Sequence, residues 1–163
     1  GTAATAAATA GTPFTGGMSF DDLAKVPVTK DAQAMLRDVA NAAGYQVTEE
    51  GQVMHVTVPI GTLRKQVVVV DLRRRDKDGQ QLITYTSTCG AARPEIAVKL
   101  LKYNTGLIHG AFAIQETEGG DMVVIQANEM AETADPLEIS RRLAAIAWQA
   151  DKVEEKLQGG DAF

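Results

Sequence analysis

Cysteine is almost missing from this chain: Cys89 is the only one, so no internal disulfide can form and a zinc site built on several thiolates is excluded. Long apolar runs are missing too. The longest purely aliphatic stretch, Val67 to Val70, falls far short of the ~18–20 residues that span a bilayer, so no membrane insertion is expected. The N-terminus has neither a basic start nor a continuous apolar stretch; no signal peptide is read there, and a cytoplasmic location is expected. Positive charge is in deficit. With 16 Lys and Arg against 21 Asp and Glu, the net charge is −5. That argues against a nucleic-acid binder and against a polybasic membrane-surface module, since both draw affinity from clustered cations.

What is present suits a globular fold. The 163 residues are 45% hydrophobic and 23% charged, enough to bury one core without disulfides or metals. Residues 1–28 read as a flexible Ala/Thr/Gly-rich segment, 29–158 as the folded domain and 159–163 as a tail. Phe14 and Phe20 are either incidental aromatics or docking points onto the domain or a neighbouring copy. The first residue is Gly rather than Met. This suggests processing or an origin in a longer protein, so an accessory domain tethered by the N-terminal linker is one reading.

From residue 29 the pattern is regular. Thr29 is placed to cap a helix whose apolar positions Ala32, Met35, Leu36, Val39, Ala40 and Ala43 fall at steps of three and four, with Gly44 ending it. The period then changes to two. Strands are expected over Val53–Val58, Gln66–Arg75 and Leu82–Thr88, joined by short turns such as Asp76-Lys77-Asp78-Gly79. A second helix begins near Pro94 with Ile96, Leu100, Leu101 and Tyr103 on its apolar side. A hairpin follows, carrying Phe112 and Ile114 on one strand and Met122–Ala127 on the other, turning at Glu118–Asp121. Asp135, Pro136 and Glu138 open a last helix whose seam runs Ile139, Leu143, Ile146, Ala150, Val153 and Leu157. Arg141, Arg142, Asp151, Lys152, Glu154 and Glu155 fall mostly off that seam. The expected fold is α+β, an antiparallel sheet packed by three helices in the order α-β-β-β-α-β-β-α, and not a doubly wound nucleotide binder.

That order resembles the type III secretion chaperone-like fold and, within it, the YbjN-like family. The residues Leu100-Leu101-Lys102-Tyr103-Asn104, followed by Gly110-Ala111-Phe112-Ala113-Ile114, are similar to the family's "L-L-x-x-N … G-x-F-A-L" segment. The acidic turn, the apolar strand after it and Asp135-Pro136-Leu137-Glu138 are similar as well. The resemblance covers residues 29–158. It implies a compact, usually dimeric domain that binds an extended segment of a partner protein, with no fixed biochemical role beyond that. On it rest the expected partner or dimer contacts: Ile96, Leu100, Tyr103, Asn104, Ala111, Phe112 and Ile114.

Candidates for chemistry are few. Cys89 with His55 or His109 would supply a nucleophile and a base, provided the three side chains line one pocket. Against this, Cys89 closes a strand before a turn, where a small half-buried thiol is ordinary. His55 reads as a polar strand residue on the face opposite Val56, and His109 as a loop residue. No acidic residues stand near them at ligand spacing, so no metal and no cofactor are expected. Asp76–Gly79 imitates the start of a calcium loop, but Ser87 stands where the twelfth-position Glu is needed, which leaves a hairpin turn. Arg73, Arg74 and Arg75 are the only basic cluster. They read as an anion-binding patch for an acidic partner or as a charged strand end that discourages edge pairing; Asp71, Asp76 and Asp78 nearby favour the second. Glu116, Glu118, Asp121, Glu129 and Glu132 read as a solvated rim. The functional expectation is a non-enzymatic, chaperone-like module that binds a protein partner and homodimerises. A small enzyme or sensor built on Cys89, His55 and His109 is the alternative.

Overall fold

The computed structural model describes residues 20–26 and 31–159. In chain order the elements are α1 (Phe20–Ala24), α2 (Ala32–Ala43), β1 (Gln46–Glu50), β2 (Val53–Ile60), β3 (Arg64–Asp71), β4 (Leu82–Ala91), α3 (Pro94–Asn104), β5 (Ala111–Thr117), β6 (Gly120–Met130) and α4 (Pro136–Gly159). The strands form one antiparallel sheet in the order β1-β2-β3-β4-β6-β5. The α+β class is therefore as expected, with two elements more than periodicity revealed. The five-residue strand β1 hides because only Val47 is even partly buried, so alternation has almost nothing to mark. Helix α1 falls inside the segment assigned to the linker and holds to the core through Leu23 alone, 5% exposed.

Local chemistry sets the ends. Helix α2 starts at Asp31, whose carboxylate accepts from the Ala34 N–H at 3.1 Å; Thr29, the expected cap, lies outside the described residues. Gly44 closes the helix in the left-handed region at φ 76°, as its position after the apolar stripe predicts. Strand β3 stops at Asp71 rather than Arg75, with a single bridge between Arg75 and Gln81 beyond it. Strand β4 continues past Thr88 through a bulge to Ala91. Asp135 caps α4 as expected, accepting from the Glu138 N–H at 2.9 Å.

The helices share one face of the sheet. Met54, Val56, Val68, Val70, Tyr85 and Ile125 on that face form a single core with Met35, Leu36 and Val39 of α2 and Ile139, Leu143 and Ile146 of α4. The opposite phase of the strands, which includes Val53, His55, Val67, Val69 and Val124, takes no part in this core. Helix α2 is tied over β1 by Arg37 and Gln33. Both donate to Glu49, and Arg37 holds its carboxyl at about 2.

Two acidic residues expected at the surface are buried. Asp151, read as off the α4 seam, is 7% exposed because Arg64 reaches over from β3 and donates two hydrogen bonds to it. Glu129, read as part of a solvated rim, has a side chain only 7% exposed. It pairs with Arg142 at 2.7 Å and accepts from the fully buried Tyr85 hydroxyl at 3.3 Å. Burial pushes the Glu129 carboxyl up, and Arg142 pulls the other way. A charge this enclosed stays only because its partner is enclosed with it.

Candidate protein-interaction surface

Helix α3 and strand β5 make one flank of the molecule, and β5 is a free edge of the sheet. Proline at the first position starts α3, and its last turn delivers Asn104 to β5. There the Asn104 carboxamide accepts from the Phe112 N–H at 2.7 Å and donates to the Phe112 carbonyl at 3.1 Å. An edge strand turns the N–H and C=O of alternate residues away from the sheet. Asn104 thus takes the position that a neighbouring strand would hold opposite Phe112. Beyond it, Ile114 and Glu116 share the same outward phase, and no side chain clamps their backbone among the described hydrogen bonds.

Replacing Asn104 with alanine removes both bonds. The expected loss is about 1–2 kcal/mol in urea denaturation, together with more concentration-dependent association as the whole edge opens. Unchanged stability and association would show that water replaces the carboxamide without penalty.

The expected contact residues separate into two groups. Ile96, Leu100 and Phe112 are 3%, 3% and 4% exposed and belong to the core, so they cannot meet a partner directly. Tyr103 and Asn104 are half-buried, and Ala111 and Ile114 are exposed. The Tyr103 ring packs edge-on to Phe112 with centroids 6.2 Å apart, while Lys152 of α4 lies over the rings of both Tyr103 and Trp148. Besides Ile114, 43% exposed, the outward apolar surface comes from residues not named individually as contacts, although two of them lie on the expected helix. Val98 and Leu101 on α3 are 61% and 65% exposed, and Ile108 in the following loop is 92% exposed. Leu101 was assigned to the buried side. A signal was present: α3 carries more apolar residues than one helical stripe can bury.

The other candidates do not converge on a site. Arg73 is spent on Asp71 at 3.0 Å, and Arg75 donates to the Gly79 carbonyl at 3.0 Å. Cys89 is 1% exposed rather than half-buried, and burial with the nearby Glu154 charge pushes its thiol up to about 12. A thiol so held is not a nucleophile at neutral pH. Cys89 belongs to the core, whereas His55 lies on the far face of the sheet two strands away, and His109 sits in the loop after α3. The three share no pocket, which removes the arrangement that the small-enzyme reading required. The described residues hold no group of three or more His, Cys, Asp or Glu placed to bind a metal.

No protein-family model matches the chain, and no curated protein matches it in sequence. Structural comparison does find a neighbour: the crystal structure of YbjN from E. coli, described as a candidate transcription regulator, superposes with a TM-score of 0.57. The fold is YbjN-like. The match covers 82% of this chain and 96% of that one at 12% identity, which establishes shared architecture and nothing about shared activity.

Proposed function

We propose that this chain is a non-enzymatic, chaperone-like module that holds a segment of another protein and acts as a homodimer. The observation carrying this reading is the flank built by α3 and β5, where Val98, Leu101 and Ile108 stand in solvent beside a sheet edge whose backbone, among the described hydrogen bonds, is clamped only at Phe112. Exposed apolar side chains next to free strand backbone suit an extended peptide, which would pair with the edge while its side chains cover the helix. YbjN is described as a candidate transcription regulator. In that role, a chain with net charge −5, in which Asp71 pairs with Arg73 and the Gly79 carbonyl holds Arg75, would act through a protein rather than through DNA.

Affinity capture with the wild-type chain and with a Val98→Asp/Leu101→Asp variant tests the surface. Both positions are exposed, so the variant keeps its unfolding midpoint. A partner held by the wild type and bound at least tenfold more weakly by the variant supports the reading. Equal binding by both, or a partner lost only when residues on the far face of the sheet are changed, sinks it.

A further inference from the structure

All four described helices pack on one side of the sheet, and among the described residues no helix covers the other side, where Val67 is 43% exposed while Thr84 and Val124 are only 2% and 3% exposed. Across that helix-free side Thr48, His55, Val69, Thr86, Gln126 and Ala111 follow one another over the six strands, and none carries a formal charge. The adjacent row, running from Gln46 and Thr57 to Val124 and Ala113, has none either. The nearest charges, Glu50, Asp71 and Lys65, lie in the flanking rows. A charge-free centre this broad is unexpected in a chain with 23% charged residues. Two pairs of polar groups on this face are already partnered across strands. Thr84 donates to Asn128 at 2.6 Å and Gln126 donates to Thr86 at 3.3 Å, so covering them costs less than covering solvated groups.

We propose that two copies of this chain meet through the helix-free faces of their sheets. A basic or acidic partner would be selected by charge, and this centre offers none. A second copy brings the same neutral surface, and face-to-face contact leaves the like charges of two bodies at −5 each around the rim. The area fits as well. Six strands about 4.8 Å apart, taken at about 26 Å, the length of β2 and β3, set an upper bound of roughly 700 Å² for the whole face, flanking rows included, close to the ~800 Å² per partner of a stable interface. Sheets packed in this way stand about 10 Å apart, a spacing that β-branched side chains such as Val67, Val69 and Thr86 fill.

This deepens the homodimer in the proposed function by assigning its surface, and it is independent of the α3–β5 flank. Sedimentation of the full chain over a range of concentrations tests it, using Val67→Lys and Thr86→Lys, each of which sets a charge in the centre of the face. Val67 is 43% exposed, so its lysine variant folds, which circular dichroism checks. The expected result is a wild-type species of twice 17.3 kDa, a dissociation constant raised at least tenfold in both lysine variants, and an unaltered dimer in Val98→Asp/Leu101→Asp. A dimer that survives both lysines, or that is lost only in the α3 variant, overturns the face but keeps the homodimer. A 17.3 kDa wild type at every concentration overturns both, and leaves partner binding at α3 standing.

Discussion

Gly110→Ala is expected to cost the fold about 3 kcal/mol, combining backbone strain with overpacking. Gly110 sits at φ 77°, where a side chain is disfavoured whatever the space around it. Here space is missing as well. A methyl group would lie 2.7 Å from Ile146 Cδ1, 3.0 Å from the Gln126 carbonyl oxygen and 3.3 Å from Ile125 Cγ1. The ile side chain can turn, but the carbonyl belongs to β6 and cannot. Gly51→Ala is the control, since it shares a positive φ of 61° but meets nothing within 4 Å, and it should lose only about 1 kcal/mol. Urea melts of both variants decide the matter. Equal losses would mean that packing at Gly110 contributes nothing. Adding Ile146→Val, which removes Cδ1, should recover only the flexible part of the clash.

Arg142→Ala is the second large effect, about 3 kcal/mol at neutral pH, because it strands Glu129 beside Tyr85 without a counter-charge. Its pH dependence has a definite sign. Burial already raises the Glu129 carboxyl in the fold, so the fold favours the protonated form. That contribution is full below the ordinary Glu value of about 4.3 and is lost as pH rises through the folded value. Without Arg142 the folded value climbs further. The penalty relative to wild type should therefore be greatest near pH 7 and shrink as the solution is acidified toward about pH 5. Glu129→Gln in the same chain should restore most of the loss at pH 7. A penalty that ignores pH, or that Gln fails to relieve, would assign Arg142 a packing role instead of an electrostatic one.

Legibility in the sequence followed burial closely. Helices α2 and α4 and strands β2, β3, β4 and β6 announce themselves because each hides one face, and hiding one face is what writes a period into a sequence, whereas β5 buries only Phe112 and is marked by the hairpin turn after it. Strand β1 turns almost everything to solvent, and α1 is anchored by one leucine, so neither leaves a pattern. Asp151 and Glu129 were misplaced for a different reason. Their burial depends on Arg64 and Arg142, which reach them from elements distant in sequence, and no local rule anticipates such a pairing. The flank was half legible. The Asn104 to Ile114 stretch was marked, yet its individual residues turned out to be mostly structural. Asn104 clamps an edge, Gly110 permits a close approach, and Phe112 fills the core. The exposed apolar residues there are Val98 and Ile108, which the expected stripe did not include, Leu101, which it placed on the buried side, and Ile114, an expected contact.

Trp148 gives that flank an optical consequence. It is the chain's only tryptophan, 40% exposed, and the ammonium of Lys152 lies 5.9 Å from its ring and 5.5 Å from that of Tyr103 on α3. Indole emission responds to nearby cations and to hydration, so unlabelled fluorescence reads the seating of α3 against α4 from a single known position. The molecule carries its own reporter beside the surface where a partner would arrive.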